Sequence, residues 1–130
     1  MAVGLLLITH PGVGEALRRT AERVLGRLPL KLACLEVDFD AALDPLLAEG
    51  SSALRALDEG DGVLMLTDVF GASPSNLAHR LTELGVSTRR ISGLNLPMLL
   101  RSLNYSDLPL DKLTEAASSG GKLGVRVDHG

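Results

Sequence analysis

Short apolar runs alternate along the chain with longer segments in which apolar residues recur at helical spacing. A continuous apolar run is typical of a β-strand covered on both faces, and three- or four-residue spacing is typical of an amphipathic helix. The predicted strands are residues 3–9, 30–39, 62–67, 88–93 and, with an alternating pattern, 122–127. The predicted helices are residues 13–25, 44–60, 73–85, 96–103 and 110–117. This order predicts an α/β fold with helices on both faces of a mostly parallel sheet.

In a sheet of this kind, ligands bind beyond the carboxyl ends of the strands. The loops expected to carry function are therefore residues 9–14, 38–44, 68–74 and 93–97. Two of the helices that follow such loops begin with a polar residue and a proline, Asp44-Pro45 and Ser73-Pro74. This pair is typical of an N-cap followed by the first helical residue.

Composition narrows the class of protein. The chain has 130 residues, of which 45% are hydrophobic and 22% charged, so we expect one folded domain over residues 1–130. The net charge of −3 and the 2% aromatic content disfavour nucleic-acid binding. The single Cys34 forms no internal disulfide, and the apolar run at residues 5–8 is too short for a signal or membrane span. We therefore expect a cytoplasmic domain without direct membrane insertion.

His10 directly follows the first predicted strand, in a loop that contains Gly12 and Gly14. A histidine at this edge of the sheet can act as nucleophile, acid or base, or metal ligand. Asp68 directly follows the third predicted strand, so the two side chains meet if strands one and three are neighbours. The carboxylate would then hold Nδ1–H and leave the Nε2 lone pair free. Each residue taken alone is equally compatible with a surface turn.

A dinucleotide-binding site is an alternative, with Gly12 and Gly14 as the fingerprint and Glu36 or Asp38 as the ribose-binding acid. The third glycine position of that motif falls on Leu17, which argues against it.

Metal binding has weak support in the sequence. His79, His129 and Cys34 do not have the spacing of metal ligands, and Cys34 is expected to be a small core residue.

Three segments, residues 7–12, 66–76 and 93–99, together resemble the enzyme IIA domain of the mannose-type bacterial phosphotransferase system (PTS). The resemblance covers nearly the whole chain. It implies a doubly wound sheet of order 2-1-3-4 with a C-terminal antiparallel edge strand. It also implies a homodimer, in which that last strand can be exchanged between protomers; an unpaired edge strand at 122–127 fits this expectation.

The resemblance also implies a phosphotransferase function in sugar transport. His10 would carry the phosphoryl group on Nε2, Asp68 would orient the imidazole, and Ser73 would lie against the phosphate. The phosphoryl group would come from the phosphocarrier HPr or its relative NPr and pass to an enzyme IIB, with no cofactor and no metal. The phosphate-binding positions would be Gly12, Gly14, Gly71 and Ala72.

The partner surface is expected around His10, with apolar contacts from Phe70, Leu94, Leu96 and Met98. Two residues depart from the family pattern, in which glycine is common at the positions of Pro11 and Ala72. Pro11 removes one amide donor beside the histidine.

Three other functions stay open on the sequence. The chain could be a stand-alone regulator whose phosphorylation reports on energy supply, or a small-ligand or nucleotide-binding α/β domain. It could also be the related phosphohistidine subunit that serves dihydroxyacetone kinase, although the segment at residues 70–74 favours the mannose type.

Overall fold

The fold is that of a computed structural model, which describes residues 2–128; His129 lies outside these residues. Four strands and five helices follow one another in the described chain. The strands are β1 (Gly4–Thr9), β2 (Leu32–Glu36), β3 (Val63–Thr67) and β4 (Thr88–Ser92). The helices are α1 (Val13–Leu25), α2 (Leu43–Leu57), α3 (Ser73–Leu81), α4 (Leu96–Asn104) and α5 (Leu110–Leu123).

The four strands form one parallel sheet in the order β2-β1-β3-β4, which confirms the predicted α/β fold and strand order. The chain leaves β1 toward β2 on one side and then returns to place β3 on the other side. Strand order therefore reverses between β1 and β3, which is where ligands bind in folds of this type. In the register of this pair, Ile8 lies opposite Thr67, so the residues that follow both strands emerge together.

The sheet separates two apolar layers. Side chains point alternately to the two faces of a strand, so Leu5 and Leu7 belong to one layer and Leu6 and Ile8 to the other. The first layer includes residues of α1, α4 and α5, and the second includes residues of α2 and α3. Every residue of β1 is buried, which explains its uninterrupted apolar sequence.

The predicted C-terminal strand is not found, and this prediction is corrected. Lys122 and Leu123 are the last residues of α5, and residues 124–128 belong to no strand. Alternation shows which side chains would share a face, but a strand also needs a pairing partner. Within residues 2–128 no strand pairs with this segment, and its Val125 and Val127 side chains are exposed.

The N-caps of two helices lie one or two residues earlier than predicted. α3 has Ala72 as its N-cap, so Ser73 is the first helical residue and not the cap. Ala72 has the extended backbone of a cap residue but no side chain that bonds to the helix. α2 likewise begins at Leu43, before the predicted Asp44-Pro45 start. Proline fits any position in the first turn, where no intrahelical N–H bond is lost, so it does not mark one position.

No helix formed by residues 2–128 is long and apolar enough to cross a membrane.

Candidate active site

His10 and Asp68 meet at the edge of the sheet where β1 and β3 end. His10 follows the last residue of β1 and Asp68 follows the last residue of β3, and the parallel register brings the two positions together. The backbone N–H of His10 donates to Oδ2 of Asp68 at 2.9 Å. Imidazole Nδ1 lies 2.9 Å from the same oxygen. The pairing predicted from the order of the strands is therefore present.

The hydrogen bonds of the Asp68 carboxylate indicate which nitrogen of the His10 ring carries a proton. Oδ1 of Asp68 accepts the backbone N–H of Val69 at 3.0 Å, so both carboxylate oxygens act as acceptors. An ionised carboxylate accepts only, so Nδ1 of His10 is the protonated nitrogen. In the neutral ring, Nε2 then carries the lone pair, and it makes no hydrogen bond with any of residues 2–128. The His10 side chain is 24% exposed and that of Asp68 is 10% exposed.

The environment of Asp68 keeps it ionised. Burial alone would raise its pKa, because burial disfavours the charged form. The hydrogen bonds from the amide and the ring of His10 act in the opposite direction and prevail, so the pKa of Asp68 lies below its ordinary value. The carboxylate is therefore ready to hold a neutral imidazole and to stabilise positive charge on it.

Phe39 is a contact of His10 that sequence analysis did not identify. The predicted second strand included Phe39 at its end, but β2 ends at Glu36 and Phe39 lies in the loop that follows. Its ring centroid is 5.2 Å from that of His10, with 32° between the ring planes. The sequence signal that could have identified this contact is an aromatic residue just beyond a strand, at the same edge of the sheet as His10.

The start of α1 offers fewer free donors than predicted. The N–H of Val13 donates to the carbonyl of His10, that of Gly14 to Oγ1 of Thr9, and that of Glu15 to Oε2 of Glu36. The amide of Gly14 is therefore used within the protein, which argues against its predicted phosphate-binding role.

Glu36 has a structural role that differs from the ribose-binding role considered from the sequence. Its carboxylate occupies the positive end of the α1 dipole, where an anion is stabilised. Gly12 is the N-cap of α1 and has φ of 86°, a left-handed conformation that favours glycine.

The start of α3 has more backbone amides without acceptors than the start of α1 has. Gly71 also has a left-handed backbone, with φ of 84°, and it leads through Ala72 into the exposed Ser73. Among residues 2–128, no acceptor is found for the amides of Ser73 and Ser75. Ser73 makes no hydrogen bond with His10 or Asp68, so the structure joins only two members of the predicted trio directly.

Of the four residues predicted to contact a partner, two have accessible side chains and two are buried. Phe70, two residues after Asp68 in the chain, is 82% exposed, and Leu96 is partly buried. Leu94 and Met98 are 8% and 4% exposed and belong to the apolar layer beneath α4, so they offer no surface to a partner. For these two residues the prediction of surface contact is wrong, because apolar residues of a loop and first helical turn serve the core equally well.

Cys34 is not activated as a nucleophile, and residues 2–128 hold no cluster of metal ligands. Burial, followed by the neighbouring Glu15 carboxylate, raises the pKa of Cys34 to about 12, so the thiol stays protonated. In the part of the chain that the structure describes, no three His, Cys, Asp or Glu side chains gather as a metal site requires.

Comparisons with known proteins give the same family as the sequence resemblance. A model of the EIIA-man family, described as PTS system fructose IIA component, matches residues 4–117. The PTS system mannose-specific EIIAB component of Escherichia coli K12 is 30% identical over 129 residues, which are 98% of this chain and 40% of that protein. The transcriptional regulatory protein LevR of Bacillus subtilis is 28% identical over 121 residues, 89% of this chain and 12% of that protein. The chain thus spans less than half the length of these relatives.

Solved structures show the same fold. The mannose/sorbose specific IIA subunit of the phosphotransferase system from Enterococcus faecalis has a TM-score of 0.88 at 22% identity, covering 98% of this chain and 96% of that one. The PTS IIA protein associated with the fucose utilization operon from Streptococcus pneumoniae has a TM-score of 0.75 at 23% identity, covering 92% and 93%. Because the family model matches most of the chain, this protein belongs to the mannose-type enzyme IIA family of the phosphotransferase system.

Proposed function

We propose that this protein is a phosphocarrier component of a phosphoenolpyruvate-dependent sugar phosphotransferase system. It accepts a phosphoryl group on Nε2 of His10 from phospho-HPr or phospho-NPr and passes it to an enzyme IIB. The observation that carries this proposal is the 2.9 Å contact between Nδ1 of His10 and Oδ2 of Asp68, which leaves Nε2 without a protein partner among residues 2–128. Family membership supports this function over a nucleotide-binding domain or a purely regulatory protein.

The reaction moves a phosphoryl group between two imidazoles. The P–N bond of the carrier phosphohistidine breaks while a new bond forms between phosphorus and Nε2 of His10. The ring of His10 keeps its Nδ1 proton and gains positive charge, which the Asp68 carboxylate stabilises across the hydrogen bond. The transition state of such a transfer is loose, so the protein contributes position and charge stabilisation. The donor is already activated, and the reaction requires no nucleotide or metal.

The start of α3 is the proposed receiver of the phosphate oxygens. The hydroxyl of Ser73 and the amides of Ser73 and Ser75 are available there, and a helix N-terminus favours negative charge. Gly71 and Ala72 bring the chain into this turn. The amides that follow Gly12 at the start of α1 already have protein acceptors, which favours α3 as the binding end.

The partners follow from the same proposal. Phe70 is an exposed apolar side chain in the loop that follows Asp68 and is the strongest of the four candidates for contact with the phosphocarrier or enzyme IIB. A homodimer is also part of the proposal, supported by the free edge of β4 and by exposed Val125 and Val127. Light scattering on the purified chain would give the mass of the dimer, and a monomer across micromolar concentrations would contradict it.

The test of phosphoryl transfer is labelling with phosphoenolpyruvate, enzyme I and a phosphocarrier. Wild-type protein should gain one acid-labile phosphate, and His10→Ala should gain none, because the accepting nitrogen is gone. His79→Ala is the matched control, since His79 is an exposed residue of α3. Labelling that persists in His10→Ala, or that disappears in His79→Ala, would contradict the assignment.

Asp68→Ala should slow labelling by about a hundredfold, which is typical of lost orientation and charge stabilisation at a reacting group. The rate is measured by quenched-flow labelling with saturating phosphocarrier, so that weaker partner binding does not contribute. Asp68→Asn should lie between the wild type and Asp68→Ala, because an amide oxygen still accepts Nδ1–H but carries no charge. A wild-type rate in Asp68→Ala would exclude the proposed role of the carboxylate.

A further inference from the structure

Phe39 is an unusual residue for its environment. It is one of only two phenylalanines in the chain, and 78% of its surface is exposed. Burial of a phenylalanine ring is normally favourable, so stability of the fold does not explain this position. Its ring contact is with His10, the residue to which the proposed function assigns the chemistry.

The loop that carries Phe39 is attached to the strand that carries His10. The N–H of Val37 donates to the carbonyl of Thr9 at 2.8 Å, and the Val37 side chain is buried. A turn follows, in which the N–H of Ala41 donates to the carbonyl of Asp38 at 3.1 Å. The base of the loop is therefore fixed one residue before His10, and Phe39 is placed from that base against the imidazole.

The two contacts of the imidazole restrict different movements. The bond to Asp68 holds one ring nitrogen, but a single hydrogen bond leaves the plane of the ring free to tilt about that contact. The Phe39 ring, 5.2 Å away between centroids, limits this tilt from the side. Aromatic rings at this separation attract one another, and the attraction grows when one of them becomes positively charged.

We propose that Phe39 is a positioning residue for His10, which holds the imidazole in the orientation where Asp68 binds Nδ1 and Nε2 is presented for phosphoryl transfer. This inference rests on the proposed function for its consequence, but the orientation of the ring can be measured independently. Phe39 also favours the charged imidazole that forms during the transfer, since an aromatic face stabilises a nearby cation.

An exposed aromatic residue next to a reacting histidine can either bind the phosphocarrier or position the imidazole. A contact with the phosphocarrier would change the KM for that protein and leave reaction with a small donor unchanged. A positioning residue changes the reaction with any donor and appears in kcat. Phosphoramidate is a suitable small donor: its P–N bond breaks, ammonia leaves, and phosphorus bonds to Nε2 of His10.

The experiment compares wild type, Phe39→Ala and Phe39→Tyr. Phe39→Ala should lower the rate of phosphorylation by phosphoramidate about three- to tenfold, and should lower kcat with the phosphocarrier by a similar factor. Phe39→Tyr keeps the aromatic face and should stay within about twofold of wild type. Val24→Ala is the control, because Val24 is an exposed apolar residue on α1 outside the site.

Nuclear magnetic resonance of the His10 ring supplies a second readout, from contacts between its ring protons and those of Asp68 and Phe39. Wild type and Phe39→Tyr should show one ring orientation, and Phe39→Ala should show averaging between orientations. Unchanged orientation with unchanged phosphoramidate rate in Phe39→Ala would overturn the inference, as would a change confined to the KM for the phosphocarrier. If wild type reacts with phosphoramidate but not with the phosphocarrier, the proposed function fails while the role of Phe39 stands.

Discussion

At the scale of single residues, one oxygen of Asp68 determines the geometry of the site. Oδ2 accepts both the backbone N–H and the ring Nδ1–H of His10. The same atom therefore fixes where the chain leaves β1 and how the imidazole is turned. Because an ionised carboxylate is the better acceptor for both bonds, the charge of Asp68 links local stability to the readiness of Nε2.

The lowered pKa of Asp68 predicts how this pair depends on pH. A carboxyl group whose pKa is lower in the folded protein contributes stability above its ordinary pKa of 3.8, and loses it as pH falls toward the folded value. Asp68→Asn should therefore reduce the free energy of unfolding by about 1–2 kcal/mol near neutral pH. Urea titrations at about pH 7 and about pH 3 check this, because the difference should shrink at the lower pH. An equal difference at both values would contradict the predicted linkage.

The raised pKa of Cys34 predicts low reactivity. With a pKa of about 12, the native thiol is almost entirely protonated at pH 8, and the thiolate is the species that reacts with iodoacetamide. Alkylation of the native protein should be at least tenfold slower than alkylation of the chain unfolded in urea, where the ordinary thiol pKa returns. Mass spectrometry of timed samples measures both rates, and equal rates would show that burial does not protect the thiol.

At the scale of elements, close packing explains glycines that lie inside regular structure. Gly4 opens β1 beside the end of α2, where an added Cβ would lie 2.8 Å from the backbone oxygen of Leu57. Gly50 lies in the middle of α2, where an added Cβ would meet side-chain carbons of Leu81 at 2.8 and 2.9 Å. Its presence weakens the helix by itself, but it allows α2 and α3 to approach closely.

These two glycines should respond differently to substitution by alanine. Gly4→Ala should lower the free energy of unfolding by about 1–3 kcal/mol, because a backbone atom cannot move aside cheaply. Gly50→Ala should cost less, since the gain in helix propensity of about 1 kcal/mol offsets the displacement of the Leu81 side chain. Chemical denaturation of both variants provides the comparison. A greater loss at Gly50 than at Gly4 would show that the contact between α2 and α3 is the more rigid one.

At the scale of the whole molecule, the sheet lies between two apolar layers, and each of its faces packs against one of them. Met65 and Leu66 are neighbours on β3, both fully buried, and belong to opposite layers. Their backbone positions are also part of the strand that ends at Asp68. The stability of either layer therefore supports the position of the site at the edge of the sheet.

Truncation on either face should have a similar cost. Met65→Ala and Leu66→Ala should each lower the free energy of unfolding by about 2–5 kcal/mol, through lost burial and the cavity left behind. Val24→Ala, at an exposed position, should change it by less than about 0.5 kcal/mol. Urea-induced unfolding followed by circular dichroism measures all three. A small effect on only one face would show that the layer on that face is loosely packed.

Most of the fold could be predicted from sequence where local signals were strong. The helix at residues 13–25 was predicted at its observed bounds, because apolar spacing and a glycine that takes a left-handed backbone after Leu25 agreed. The predicted bounds of the second strand were too wide: residues 30–39 were predicted, but β2 covers only Leu32–Glu36. Apolar residues continue into the loop there, and sequence periodicity does not distinguish a strand from the packed chain beside it.

The part of the site that depends only on strand order was predictable from the sequence. Placing Asp68 beside His10 required only that β1 and β3 be neighbours, and the sheet confirms that order. The burial of Leu94 and Met98, and the contact of Phe39 with His10, depend on how loops and helices pack. No spacing in the sequence encodes those distances, so they were missed or assigned wrongly.

The sequence by itself determined the alternation of strands and helices, because burial on both faces and helical periodicity are recorded in the residues themselves. It also determined which polar residues follow the strands. Only the tertiary structure decided which amides stay available for an anion and which aromatic ring lies against the imidazole. It also decided that residues 122–127 form no strand within this chain. Those features depend on contacts between residues distant in sequence, whose energies local patterns do not contain.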